Sequence, residues 1–438
     1  MELLVASAAP RGEAEVAIAL TVALAAKFAV CETSERERDC RQTARVATDA
    51  VTVLVCQEEY ARASDPQVGA LLANALRRSS DLRGASAVAN SLLSTPARAD
   101  ALVVLGKIAL TEKRYHEAQR LLELAADLHS RSLQHRAEGR DWLALGNVFY
   151  IRQDLLASLQ AVDRAIHGAR KSGDREGEIL SHVSASRAFS TLGHFPAAIA
   201  EVERALSISE TVKERAWSIY ESGNVQQEFG NFHQGAVHIE RALALATEAQ
   251  LGSLILSLHL ELADCLTETG ELEGAAHHLE AAKVIDTTGR LMAERIALEG
   301  RLAARRGQAE QAERLLEQSL SITDPEELTE VNDLTISLAR LALQRGDFAR
   351  AEKWARRATT SVRKLQEKNS PPLFRSLLLA RYRTAHELLL LALARAGRAD
   401  AALLALDDWQ QQAAFVLSLI HISEPTRRTP ISYAVFCL

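Results

Sequence analysis

Small residues recur along this sequence in one fixed arrangement. A small residue is followed seven positions later by glycine, and twelve and nineteen positions later by two further residues that are usually small. Three earlier copies, which begin at Ala73, Gly106 and Gly146, lack the glycine. Successive copies begin 33 to 51 residues apart, and most intervals lie between 37 and 40. The glycines in this arrangement are Gly193, Gly230, Gly270, Gly307, Gly346 and Gly397.

This arrangement is typical of a helix–turn–helix unit. The first small residue lets a second helix cross close to the backbone of the first, and the glycine supplies the left-handed conformation that ends a helix. Two small residues seven positions apart lie on one face of the second helix. Repetition at this period predicts an all-α protein, a solenoid of stacked antiparallel helical hairpins.

Two copies carry further matching residues. The pattern they form resembles the tetratricopeptide repeat, TPR, in its forty-residue form, over about residues 67–410. The resemblance implies a right-handed superhelix in which the first helix of each hairpin lines a concave groove. The matching residues are Trp142, Leu145, Gly146, Asn147 and Phe149 in one copy and Gly223, Asn224, Gly230, Phe232 and Ala242 in the other.

The repeats divide the chain into four predicted parts. Residues 1–64 are expected to form an N-terminal helical hairpin, either a degenerate repeat or a cap, and residues 65–361 the TPR array. A loop with two prolines, at 364–372, introduces a last hairpin over residues 362–416. Residues 417–438 resemble translated sequencing-adaptor DNA, so we expect the native sequence to stop near Val416.

Composition narrows the possible partners and location. The net charge is −6, and no basic stripe indicates nucleic acid or an anionic membrane. The apolar run Val16–Ala26 is too short to span a bilayer and lacks the preceding positive charge of an export signal, so we expect a buried first helix and a cytoplasmic protein. The sequence does not indicate an oligomeric state.

Three cysteines, Cys31, Cys40 and Cys56, lie in the predicted first hairpin. They could form a disulfide or a metal site. The interpretation that we favour is that they are small buried hydrophobic residues.

No catalytic motif is present in the sequence. Phosphate-binding, zinc-protease and serine-hydrolase signatures are all missing, so we predict a protein that is not an enzyme and has no cofactor or metal. His277 and His278 are adjacent on a helix and therefore point apart, which favours a solvated face. Asp407 and Asp408 beside Trp409 are expected to be exposed charges.

A row of polar residues follows the first small residue of each copy, and the TPR resemblance implies that it faces the groove. In related TPR families an asparagine here clamps an extended peptide; the competing explanation is that any outward helix position is polar. TPR domains that bind a free C-terminus carry lysine one turn earlier. That position holds no lysine here, and in one copy it is Tyr220. An internal peptide segment or helix is therefore the expected ligand. The predicted groove residues are Lys107, Asn147, Arg187, Tyr220, Asn224, Asp264, Arg301 and Arg340.

These patterns predict an interaction scaffold for a protein or peptide ligand. The segment with Arg381–Tyr382, Gly397–Arg398 and Asp408–Trp409 resembles the last hairpin before a caspase-like CHAT domain. That resemblance implies the sensor arm of a protease whose catalytic domain lies downstream of residue 416. The alternative is the sensor region of a transcription activator or signalling ATPase.

Overall fold

The computed structural model describes residues 39–46, 49–286, 289 and 291–423, and over those residues it contains twenty-one α-helices and no strand. The helices fall into two compact units, divided between Leu128 and His129. The apolar run 16–26, Cys31 and residues 424–438 lie outside the described residues. The all-α prediction is confirmed.

Unit 1 is built from short helices that pair in sequence order. Its helices are α1 (Cys40–Val46), α2 (Asp49–Ala63), α3 (Pro66–Arg78), α4 (Leu82–Ser91), α5 (Arg98–Thr111) and most of α6 (Tyr115–Arg131). Asp65 begins α3 by accepting a hydrogen bond from the Gln67 amide, directly before Pro66. The predicted boundary at 64/65 falls in this turn.

A disulfide joins α1 to α2, through Cys40 and Cys56. Both cysteines are fully buried, so they do belong to the core, but the interpretation that we favoured, unlinked hydrophobic residues, is wrong for this pair. Residues 16 positions apart in sequence meet here because the hairpin places the two helices side by side. In the chain-entropy account, closing a loop of about this size stabilises the fold by about 3 kcal/mol.

Unit 2 is a series of helical hairpins. Each hairpin pairs a first helix with a second: α7 (His135–Ile151) with α8 (Leu155–Ser172), α9 (Arg175–Leu192) with α10 (Phe195–Ile208), α11 (Val212–Glu228) with α12 (Phe232–Glu248), α13 (Gly252–Thr269) with α14 (Leu272–Ile285), α15 (Met292–Arg305) with α16 (Ala309–Ile322), and α17 (Leu328–Gln344) with α18 (Phe348–Lys368). The series ends with α19 (Pro372–Arg381), α20 (Arg383–Arg395) and α21 (Ala399–Ser423). The first helices of successive hairpins from α7 to α17 lie beside one another.

The roles expected for the small residues and glycines are confirmed. A Cβ atom added to Gly223 would lie 2.5 Å from Ile239 Cγ1 and 3.2 Å from the Gly235 carbonyl oxygen, so only a residue without a side chain lets α11 and α12 cross this closely. All six glycines at the end of the first helix have positive φ. In the three copies without glycine, Ser80, Lys113 and Gln153 adopt the same left-handed conformation.

The last helices of unit 2 pack against helices near its beginning. Residues of α18 and α19 share one buried cluster with α8 and α9, including Leu365 and Leu378 beside Leu155 and Leu192. Asn369, which is fully buried, accepts a hydrogen bond from the Leu155 amide at 2.9 Å and donates one to the Gln153 carbonyl at 2.8 Å. The first helices of unit 2 therefore surround a common interior. We call this contact between 152–155 and 365–382 the return contact.

Two predicted boundaries fall inside helices. Helix α18 continues through 361/362 to Lys368, so the loop predicted at 364–372 is reduced to residues 369–371. Helix α21 continues through 416/417 to Ser423. The long interval before the last copy is filled by the extended α18 and the additional helix α19.

Candidate functional site

Side chains of neighbouring first helices meet in a ladder on the inner side of unit 2. Ser184 donates to Asn147 Oδ1 at 3.3 Å, the Arg187 guanidinium lies 3.3 Å from Glu221 Oε2, and Gln227 donates to Asp264 Oδ2 at 2.6 Å. Each pair joins helices one repeat apart. We define the inner face as the residues of this ladder and their neighbours on the same sides of the helices: Asn147, Tyr150, Ser184, Arg187, Tyr220, Glu221, Asn224, Gln227, Glu261, Asp264, Glu294, Arg301, Glu330, Asp333 and Arg340.

The Arg187–Glu221 pair is the most enclosed ion pair of the inner face. The Glu221 side chain is 1% exposed, whereas that of Arg187 is 37% exposed. Burial raises the pKa of Glu221, and the charge of Arg187 opposes that shift. Removing Arg187 alone would leave a buried carboxylate without its cation, which is strongly destabilising.

Asp264 is held between two neighbouring helices. Gln227 of α11 reaches one carboxylate oxygen, and Arg301 of α15 lies 3.3 Å from the other. Burial lowers the pKa of Arg301, but the combined attraction of Asp264 and of the more distant carboxylates Asp333, Glu268 and Glu261 outweighs burial and raises that pKa. These contacts fix the direction in which Asp264 and Arg301 face the interior.

Glu261 lies in the same stretch without an ion pair to any described residue. Its carboxylate accepts a hydrogen bond of 3.5 Å from the Tyr220 hydroxyl. Burial, followed by the negative charges of Glu294 and Asp264, raises the pKa of Glu261 to about 8. The carboxyl is therefore in an environment that disfavours its charge.

The return contact brings α17 near α7 across the interior. Burial raises the pKa of Tyr150, Arg187 lowers it in part, and the charge of Glu330 adds to the increase. Tyr150 also shares a hydrogen bond of 3.1 Å with Thr191. Groups from α7, α9 and α17 thus act on one hydroxyl.

The predicted groove residues do not all meet. The structure places six of them on the first helices of successive hairpins in unit 2, α7 to α15: Asn147, Arg187, Tyr220, Asn224, Asp264 and Arg301. Arg340 is exposed on α17, and Lys107 lies on α5 of unit 1, where it is partly buried.

Sequence reasoning missed the carboxylates of the inner face. Glu221 and Glu261 stand two positions before the first small residue of their copies, and Glu294 and Asp333 stand six positions before it. Residues at these spacings lie on the same side of the first helix as the position after the small residue. Helical periodicity was therefore the signal that could have identified them.

The structure also shows the surroundings of the two adjacent pairs, His277–His278 and Asp407–Asp408. His277 is exposed as predicted, but His278 is half-buried, with Nδ1 2.8 Å from Nδ1 of His259. Trp409 stacks on His386, and Asp407 and Asp408 are exposed. In the described part of the chain, no group of three or more His, Cys, Asp or Glu residues is arranged to hold a metal ion.

None of the described helices combines the length and the apolar character that crossing a bilayer requires.

Comparison with known proteins gives one family. The model of the family described as MalT-like TPR region matches residues 179–422, more than half of the chain. No curated protein matches the sequence.

Solved structures resemble the fold. A Rap protein in complex with competence and sporulation factor has a TM-score of 0.60 and 13% identity, over 76% of this chain and 98% of that one. NprR in complex with its cognate peptide NprX has a TM-score of 0.54 and 15% identity, over 75% and 95% of the two chains. The apo quorum sensor NprR from B. thuringiensis has a TM-score of 0.53 and 14% identity, over 74% and 97%. At these identities the likeness shows the fold alone.

Proposed function

Since the chain belongs to the MalT-like TPR family, we propose that it is an interaction scaffold whose second unit binds a protein or peptide segment along the inner face. The observation that carries this proposal is the ladder of polar side chains on consecutive first helices. Asparagine offers both a donor and an acceptor to a peptide backbone, and arginine offers donors to carbonyl groups. Two proteins of similar fold, the Rap protein and NprR, were solved with a factor or a peptide bound.

The wider setting is also a proposal. The resemblance of residues 373–416 to the hairpin before a CHAT domain supports the regulatory arm of a caspase-like protease, cytoplasmic and not itself an enzyme. Because residues 417–438 resemble translated adaptor DNA, we also propose that this segment carries no function. The alternative, the sensor region of a transcription activator or signalling ATPase, is favoured by a similar fold described as a Rap conjugation gene regulator in complex with the Phr* peptide (TM-score 0.52). The gene downstream of codon 416 distinguishes these settings.

Binding can be tested with a phage-displayed library of random nonapeptides and the full chain as bait. We expect enrichment of peptides that bind the wild-type chain. Substitution of Asn147→Ala, Arg187→Ala and Asn224→Ala together with Glu221→Gln should weaken binding of the enriched peptides at least about tenfold, because anchoring hydrogen bonds are lost. Glu221→Gln is included so that no buried carboxylate remains uncompensated.

A matched control changes the outer side of the same hairpins. Glu203→Ala, Glu240→Ala and Glu317→Ala alter exposed residues of α10, α12 and α16 and should leave peptide binding unchanged. Equal far-ultraviolet circular dichroism of both variants checks the fold. Absence of any enriched peptide, or equal affinity of the inner-face variant and the wild type, would contradict the proposal.

A further inference from the structure

Two histidines meet inside the hairpin formed by α13 and α14. His259 of α13 and His278 of α14 are 19 positions apart in the sequence, yet their Nδ1 atoms lie 2.8 Å from each other. The centroids of the two rings are 5.1 Å apart. Both residues are half-buried, so the pair is not sealed from solvent.

The apolar core of this hairpin fixes the positions of the two histidines. The residue after each histidine belongs to that core: Leu260 is fully buried and Leu279 is 4% exposed, and both lie in one cluster with Ala263, Ala275 and Ala282. Because these neighbours are packed between the helices, the backbone that carries the two imidazoles is held in place. The pair is therefore positioned by rigid elements of the fold and not by a loop.

The contact also determines the protonation of the pair. Two Nδ1 atoms at this separation cannot both carry a proton, because one must donate its N–H group to the lone pair of the other. At least one of the two imidazoles is therefore neutral. A neutral imidazole is the commonest metal ligand among the side chains. The hairpin thus holds together two nitrogens that a metal ion can bind in place of the shared proton.

The distance between the two nitrogens distinguishes between metal ions. Bonds from a metal ion to histidine nitrogen are about 2.0–2.1 Å long. Two nitrogens on neighbouring corners of a square plane are then about 2.9 Å apart, whereas two corners of a tetrahedron, the geometry of zinc, are about 3.3 Å apart. The observed distance of 2.8 Å is close to the square-planar value. Square-planar sites of nitrogen and oxygen are typical of Cu²⁺ and Ni²⁺, and Cu²⁺ binds the more strongly of these two ions.

From this geometry we infer that His259 and His278 form a binding site for Cu²⁺, with the two Nδ1 atoms in adjacent positions of a square plane. Water fills the remaining positions, since no group of three or more His, Cys, Asp or Glu residues in the described ranges is arranged to hold a metal ion. The bound ion links α13 to α14 within one hairpin. The inference is independent of the proposed function, because neither histidine belongs to the inner face.

The neighbouring His277 explains why the sequence pointed away from a metal site. His277 and His278 are adjacent on one helix and project in different directions. The pairing of α13 with α14 brings His259 to His278, while His277 remains exposed. His277 is therefore a matched control, since it adjoins the site in sequence but takes no part in the contact between the two Nδ1 atoms.

The test titrates the full chain with CuCl₂ by isothermal titration calorimetry, with glycine present as a competing chelator. His259→Gln and His278→Gln should each weaken Cu²⁺ binding at least about tenfold, since the loss of residues that merely support metal ligands already costs about 10–100-fold. His277→Gln should bind Cu²⁺ as the wild type does. ZnCl₂ should bind the wild type at least about tenfold more weakly than CuCl₂.

Electron paramagnetic resonance gives a second readout that needs no variant. The wild-type chain with one equivalent of CuCl₂ should show coupling of the copper to the nitrogens of two histidine rings. Far-ultraviolet circular dichroism checks the fold of each variant, and the spectrum of the wild type decides the question if a substitution prevents folding.

The contrary outcomes are specific. Equal Cu²⁺ affinity of the wild type, His259→Gln and His278→Gln would show an adventitious ion only and overturn the inference. A loss in His277→Gln as large as that in His278→Gln would overturn the assignment to the pair. Coupling to a single histidine ring, or Zn²⁺ bound as tightly as Cu²⁺, would overturn the square-planar geometry. None of these results bears on peptide binding along the inner face.

Discussion

At the scale of single residues, the environment of Glu261 decides much of what the inner face can do. Its carboxyl faces Tyr220 and Gln227 of α11, Glu294 and Arg301 of α15, and Asp264 of its own helix. The pKa is raised from an ordinary value of 4.5 to about 8. The folded protein therefore holds this proton more tightly than the unfolded chain does, and the contribution of Glu261 to stability is lost as the pH rises from about 4.5 to about 8.

This direction gives a prediction for stability. Glu261→Gln removes the ionisation, so the free energy of unfolding of the variant minus that of the wild type should increase between pH 5 and pH 8, by at most about 1.4 kcal/mol for each pH unit. Urea unfolding at several pH values measures the difference. Glu317→Gln, on an exposed residue, should follow the wild type, and parallel pH profiles for Glu261→Gln and the wild type would contradict the assigned environment.

Individual residues also show how much of the inner face could be predicted from the sequence. The position after each small residue was chosen because of the TPR resemblance, and for Asn147, Arg187 and Asn224 the structure places it on the inner face. Glu221 and Glu261 were missed because helical periodicity alone does not say how wide the inward-facing side of a helix is. That width depends on the angle between neighbouring hairpins, which local spacing does not determine.

At the scale of helices and turns, Asn369 is the centre of the return contact. Its side chain closes hydrogen bonds with Leu155, Gln153 and Leu365. The neighbouring Lys368 reaches the Arg152 carbonyl at 3.2 Å and Glu326 at 2.9 Å, but from a partly exposed position. The buried amide should therefore contribute more than the lysine.

We expect Asn369→Ala to destabilise unit 2 by about 1–3 kcal/mol, because the buried amide of Leu155 loses its acceptor. Hydrogen exchange measured by mass spectrometry should show faster exchange in the peptide that contains Leu155. Lys368→Ala is the control, with an expected effect of about 0–1 kcal/mol. Unchanged exchange at Leu155 in Asn369→Ala would show that this asparagine does not hold the return contact.

The turns and the cysteines illustrate what helical patterning can and cannot predict. The six helix-ending glycines were identified from spacing because a left-handed residue is required at that point. Residues 369–371 were expected within a longer loop, since two prolines and several polar residues are typical of loops, yet α18 extends to Lys368 by packing on α8. The Cys40–Cys56 disulfide was considered but not favoured, because cysteine spacing alone does not show which thiols meet. Disulfides are rare in reducing compartments such as the cytoplasm, so this disulfide counts against the proposed cytoplasmic location.

At the scale of the molecule, the architecture of each unit results from contacts between hairpins that are neighbours in the sequence. Repetition of one hairpin predicted the solenoid class, because each hairpin can bury its apolar side only against the next. The return contact of unit 2 was not predictable in the same way. It results from small rotations that add up over six hairpins, and no single repeat contains that information. The peptide-binding proposal depends on this enclosure, since it gathers charges from distant repeats around one interior.

The most direct measurement is photo-cross-linking of a peptide to the full chain. A nonapeptide enriched from the phage-displayed library, with benzoylphenylalanine in place of one residue, is irradiated with the protein, and the attachment sites are identified by mass spectrometry. The account predicts attachment on α9, α11, α13 and α15 at inner-face residues, and loss of attachment in the variant that combines Asn147→Ala, Arg187→Ala and Asn224→Ala with Glu221→Gln. Attachment to the outer helices α10, α12 and α14, with the inner face unlabelled, would contradict it.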